Sequence, residues 1–180
     1  PREPVIVVSI GDVTRAYPIQ ILMWHEIVND TVDGVPITVT FCPLCNATIV
    51  FDRRLDNRVL DFGTTGRLRK SDLVMYDRQT QSWWQQFSGR AIVGALAGKK
   101  LSRIAASIVA FEDFHKGHPH AEVLSKKTGH SRAYGQNPYA GYDNIDTHPF
   151  LYSDPVDPRL PAMERVLSIS IAQTHHLYPF

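Results

Sequence analysis

Short runs of β-branched residues recur through the first hundred positions, each closed by a turn-forming stretch, and this pattern confines the chain to a strand-rich fold. Residues 5–10 (VIVVSI) end at Gly11-Asp12, and residues 14–17 stay extended up to Pro18, which predicts a hairpin. Residues 35–41 and 47–52 predict two more strands, joined through residues 42–46. Residues 58–62, 73–76 and 91–93 continue the series, with turns expected at Leu55-Asp56-Asn57 and Gly63-Thr64-Thr65-Gly66. One helix interrupts it: Ile19, Leu22, Met23 and Ile27 fall at helical spacing after Pro18, and the run closes at Asn29, Asp30 and Gly34. Apolar on nearly all sides, that helix is expected to be buried.

Residues 108–115 predict a second, short helix, after which Pro and Gly rise and periodicity fades through Asp157. The fold class expected is α+β, a mainly antiparallel meander with a buried N-terminal helix and a loop-rich C-terminal half. Near the end, Val166-Leu167-Ser168-Ile169-Ser170-Ile171 and Leu177-Tyr178-Pro179-Phe180 echo residues 5–10 and Ala16-Tyr17-Pro18-Ile19 at the same spacing. The echo is either a coincidence of hairpin-like sequence or a true repeat. On the second reading, residues 1–165 form a single β-rich domain, 166–180 start a second repeat unit, and the chain is part of a longer protein.

Composition excludes several function classes. Hydrophobic residues at 43% and charged residues at 21% are globular values that argue against disorder and coiled coil. Nineteen basic against eighteen acidic residues leave a net charge of +1, so no global field draws the chain to nucleic acid or an anionic membrane. The basic run Arg67-Leu68-Arg69-Lys70 reads as a solvated loop. Residues 19–28, broken by Gln20, His25 and Glu26, are too short and too polar to span a bilayer. The partner expected is an unidentified protein or small molecule.

The chemical signal is the pair Cys42 and Cys45 in Cys42-Pro43-Leu44-Cys45, two sulfurs held close enough for a disulfide or for two legs of one metal site. The strand sequence that follows argues against a thioredoxin fold, in which the first cysteine caps a helix. Cys42 and Cys45 are therefore the candidate catalytic residues if the pair cycles between dithiol and disulfide. They are two candidate metal ligands if it binds an ion. Two thiolates leave zinc incomplete, and His25 on the preceding helix is the leading third ligand. Met75 adds a soft sulfur, and a Cys, His and Met set suits copper better than zinc. Each has a plain structural alternative: His25 as a core histidine bonded to backbone or to Glu26, and Met75 as core packing.

Other features carry less. His115, His118 and His120 lie in a Gly- and Pro-containing stretch and read as a solvated loop more readily than as a loose metal site. Asp72, Asp77 and Arg78 flank a strand and offer acid–base groups or structural ion pairs. No Gly-x-Ser-x-Gly or His-Glu-x-x-His motif supports hydrolase chemistry. Of the adjacent Trp83 and Trp84, one is expected to be buried and the other partly exposed, because neighbours on a strand face opposite ways.

Four motifs in order resemble a known family: Ala16-Tyr17-Pro18, the run His25-Glu26-Ile27-Val28-Asn29-Asp30, Cys42-Pro43-Leu44-Cys45, and Asp72-Leu73-Val74-Met75-Tyr76-Asp77-Arg78. Together they resemble the prokaryotic family called domain of unknown function 3179, along nearly the whole chain. The resemblance implies no particular reaction. It does imply an exported protein, periplasmic or extracellular, made with a leader that this chain, opening on Pro1, does not include. The function expected is thus an exported copper- or zinc-binding or dithiol-redox protein, the alternative being a structural or interaction module with a Cys42–Cys45 disulfide.

Overall fold

The computed structural model describes residues 2–172 and 174–180. In chain order, β1 (Pro4–Ile10) and β2 (Val13–Pro18) form a hairpin that leads directly into α1 (Ile19–His25). Then come β3 (Ile27–Val32), β4 (Val35–Cys42), β5 (Ala47–Asp52) and the short pair β6 (Arg54–Leu55) and β7 (Arg58–Val59). A second series follows, β8 (Phe62–Arg69), β9 (Asp72–Asp77), β10 (Trp83–Gln85), β11 (Arg90–Val93), β12 (Arg103–Ile104) and β13 (Ser107–Ala110). The chain closes with α2 (Phe111–Gly117), β14 (Glu122–Val123), β15 (Val166–Ile171) and β16 (Thr174–Pro179).

Three four-stranded sheets build the body, in the orders β13-β1-β2-β14, β12-β5-β4-β3 and β11-β10-β9-β8. Among the described residues every strand pairing is antiparallel except that of β14 with β2, so the α+β, meander-dominated class holds. β4 sits between two cores. Ile37, Val39 and Phe41 belong to one, with Ile6, Tyr17 and Leu22. Cys42 belongs to the other, with Leu73, Met75 and Trp84. Alternation sends Thr38, Thr40 and Cys42 to the second face, and this two-sided cover explains why all six residues from Ile37 to Cys42 are buried. Thr40 satisfies its hydroxyl on the Ile49 carbonyl at 2.6 Å, so its burial leaves no donor stranded.

Local sequence and structure part company at three places. The expected helix ends at His25, because Glu26 adopts a left-handed φ of 59° and β-branched Ile27 onward pairs with β4 as a strand. Gly63 to Gly66 are not a turn: they lie inside β8, where the register with β9 shifts between Thr64 and Arg67. The expected second helix starts later, at Phe111, since residues 107–110 pair with β1. The tryptophans fall as expected, Trp84 fully buried with its indole N–H on Asp77 and Trp83 half-buried.

Residues 124–165 carry neither helix nor strand. After them, β15 and β16 form a separate two-stranded sheet in the register of β1 and β2. Val166 opposes Pro179 as Val5 opposes Pro18, and Leu167 opposes Tyr178 as Ile6 opposes Tyr17.

Candidate functional site

Cys42 is the last residue of β4 and faces Ala47, the first of β5, so Pro43, Leu44, Cys45 and Asn46 make a four-residue link. Asn46 takes a left-handed φ of 45°, a conformation Asn tolerates better than most residues, and its N–H returns to the Pro43 carbonyl. The link leaves Cys42 only 1% exposed, whereas Cys45 lies at the surface with its sulfur turned inward.

The third group comes from the β8–β9 hairpin. Cys45 donates its thiol proton to Asp72 Oδ1 at 3.3 Å, and the other carboxylate oxygen accepts the Phe87 N–H at 2.9 Å. The Cys42 and Cys45 sulfurs and one Asp72 oxygen all lie within 4.8 Å of one another. Among the described residues they are the group of three or more His, Cys, Asp or Glu side chains that could hold a metal ion.

The electrostatics separate the two sulfurs. Hydrogen bonding with the Cys45 side chain and with the backbone N–H groups of Cys45 and Leu73 would steady a negative charge on Cys42, and this outweighs burial and the nearby Asp72 charge, so its pKa falls. Cys45 is pushed well up, first by its hydrogen bonding with Cys42, then by burial and by the charges of Cys42 and Asp72. Burial also raises Asp72. Of the two sulfurs, Cys42 is thus the one that gives up its proton more readily.

His25 makes its contacts with the irregular segment. His25 ends α1 with Nε2 2.5 Å from the Tyr134 hydroxyl, which also contacts Thr128, and with the His130 ring centroid 5.6 Å away. Burial, His130 and Arg132 lower its pKa. It stands outside the three-ligand group. Met75 is fully buried, paired across the sheet with Thr64 and Trp84, and belongs to the core cluster that contains Cys42. His115 stacks on Phe111 and His118 leans on Phe114, while Asp77 is taken up by Trp84 and Thr80.

A family model described as protein of unknown function (DUF3179) matches residues 1–180. The chain belongs to that family. No curated protein and no solved structure matches it. In this DUF3179 fold the four motifs named above become neighbours. Tyr17 donates to Asp30 at 2.7 Å, the Glu26 carbonyl accepts the Phe41 N–H at 2.8 Å beside Cys42, and Asp72 receives the Cys45 thiol. The Glu26 carboxyl is raised by burial, and the charges of Glu26 and Cys42, after burial itself, raise Tyr139 from the irregular segment.

Reading the residues in order singled out the cysteines but offered Asp72 only as an acid–base or ion-pair group. Its role beside Cys45 joins positions 27 residues apart, which local spacing does not encode. Tyr134 and Tyr139 lie in the stretch from Tyr134 to Tyr142 that the family resemblance covers, but without periodicity that stretch assigned them no role.

Proposed function

We propose that the protein binds one thiophilic divalent ion, of the zinc class, through Cys42, Cys45 and Asp72. The observation that carries this reading is the convergence of three ligand atoms of suitable chemistry within 4.8 Å. Metal binding requires deprotonated sulfur, and the Cys42 site already favours the thiolate. An ion would take the place of the thiol protons of Cys42 and Cys45. The Phe87 N–H, bonded to the second Asp72 oxygen, would fix the orientation of the carboxylate. Two thiolates with a hard carboxylate suit zinc better than copper(I), and three protein ligands leave a fourth position for water or a small ligand. The exported setting implied by the family resemblance belongs to the same proposal.

Dithiol exchange is the competing reading. It needs a thiolate that a partner disulfide can reach, and here the cysteine whose pKa is lowered is the buried one, while that of the surface cysteine is raised. Cobalt(II) and zinc titrations of the reduced protein test the proposal. One ion per chain is expected, with a thiolate-to-cobalt absorption band that Cys42→Ser and Cys45→Ser abolish. Asp72→Asn should weaken binding by about 10- to 100-fold. Failure to bind either ion, together with a reversible Cys42–Cys45 disulfide, would transfer the site to redox chemistry.

A further inference from the structure

The turn that delivers Asp72 does more than connect two strands. Arg69 pairs with Asp72, so Lys70 and Ser71 form a two-residue hairpin loop, and both have left-handed φ, 55° and 63°. Such loops favour Asn-Gly because side chains resist that conformation, and a Lys-Ser pair there is strained. The side chain of each makes a contact that Asn-Gly would not. The Ser71 carbonyl faces the Cys42 sulfur at 3.9 Å, and its hydroxyl, in a residue 5% exposed, donates to the Phe150 carbonyl at 2.6 Å. Lys70 pairs with Asp154 at 2.6 Å. Both partners belong to the long irregular segment. A third tether, Tyr134 to His25, holds the same segment at the end of α1. A long irregular stretch secured to a site at separated points is the usual construction of a lid.

We propose that the Lys70-Ser71 turn is a latch that holds residues 126–157 closed over the cysteine site and thereby sets how fast ions and small reagents reach Cys42. It governs the site read above as metal-binding, yet its operation does not require a metal. In the latched state the β8–β9 turn touches the site through its backbone and the lid through its side chains. Releasing either end opens the same path.

Iodoacetamide labelling of the full, reduced, metal-free chain, resolved at Cys42 by peptide mass mapping and run beside amide hydrogen exchange, tests this. Ser71→Ala keeps the carbonyl contact to Cys42 and removes only the tether, and Tyr134→Phe removes a tether from the far side. Each variant is expected to label Cys42 about fivefold faster or more and to speed exchange across residues 126–157, with β4 and β5 unchanged. Wild-type labelling and exchange in both variants would overturn the latch. Faster exchange through β4 and β5 would also overturn it, by making Ser71 and Tyr134 supports of the whole fold. Since no metal is present, these outcomes stand apart from the cobalt and zinc titrations, and either proposal can fail with the other intact.

Discussion

The hairpins β1–β2 and β15–β16 are locally the same structure with opposite fates. Offset by 161 positions, six residue pairs oppose one another in the same order, from Val5–Pro18 and Val166–Pro179 to Ile10–Val13 and Ile171–Thr174. Gly11 and Ala172 occupy equivalent turn positions with φ of 55° and 53°. Each pair of strands carries one cross-strand side-chain bond of 2.8 Å at the same place, Ser9 to Thr14 and Ser170 to His175. Yet Ile6, Val8 and Tyr17 are fully buried, while Leu167, Ile169 and Tyr178 are 50%, 41% and 52% exposed. The first hairpin has α1, β13 and β14 around it; the second stands as a two-stranded sheet of its own. Local pattern therefore suffices to specify a hairpin, and burial is conferred by what packs on it.

The largest test of this contrast is Tyr17→Ala against Tyr178→Ala. Tyr17 fills the core and donates to Asp30, so its loss should cost about 3–5 kcal/mol in denaturant unfolding, against about 0.5 kcal/mol or less for Tyr178. Equal losses would break the contrast and mean that the second hairpin is covered in solution.

A smaller effect is expected from Tyr17→Phe, which keeps the ring and removes the hydrogen bond to a carboxylate, about 1.5–3 kcal/mol at neutral pH. It should also change the acid response. Burial tends to raise Asp30, but hydrogen bonds from Tyr17, Arg15 and the Thr31 N–H outweigh it, so the folded pKa is depressed. The stability this supplies is present above the unfolded value of about 3.9 and is lost as pH falls through the folded value. Thermal melts at neutral pH and at about pH 3 should therefore differ less in Tyr17→Phe than in the wild type. No counterpart is expected for Tyr178→Phe.

The smallest effect separates the turns. A Cβ on Gly11 would meet the Asp33 carboxylate at 2.0 Å, whereas Ala172 already carries one at the same φ. Gly11→Ala should lower stability by about 1–2 kcal/mol, and Ala172→Gly should leave global stability unchanged within about 0.5 kcal/mol. A stabilising Gly11→Ala would show that Asp33 moves aside freely.

The candidate site divides in the same way. The two cysteines and the strands on either side of them are legible, because a proline-stiffened Cys-x-x-Cys between β-branched runs has few local conformations. Asp72 became a candidate ligand only when β9 was set beside the cysteine turn, and Ser71 joined it because the hairpin loop also grips the segment near Phe150. The end of α1 was hidden for a related reason. Ile27 continues the helical spacing, but the left-handed Glu26 and the pairing of Ile27 with Thr40 make it a strand.

By itself the amino-acid order determined the strand-rich class, the hairpin register at both ends and the closeness of Cys42 to Cys45, all of which depend on neighbours a few positions apart. Tertiary structure alone decided which hairpin is buried, which carboxylate meets the sulfurs and which segment the β8–β9 turn and the end of α1 hold. Those contacts join residues separated by 27 to 109 positions. Closing such loops brings its reward only when whole sheets pack together.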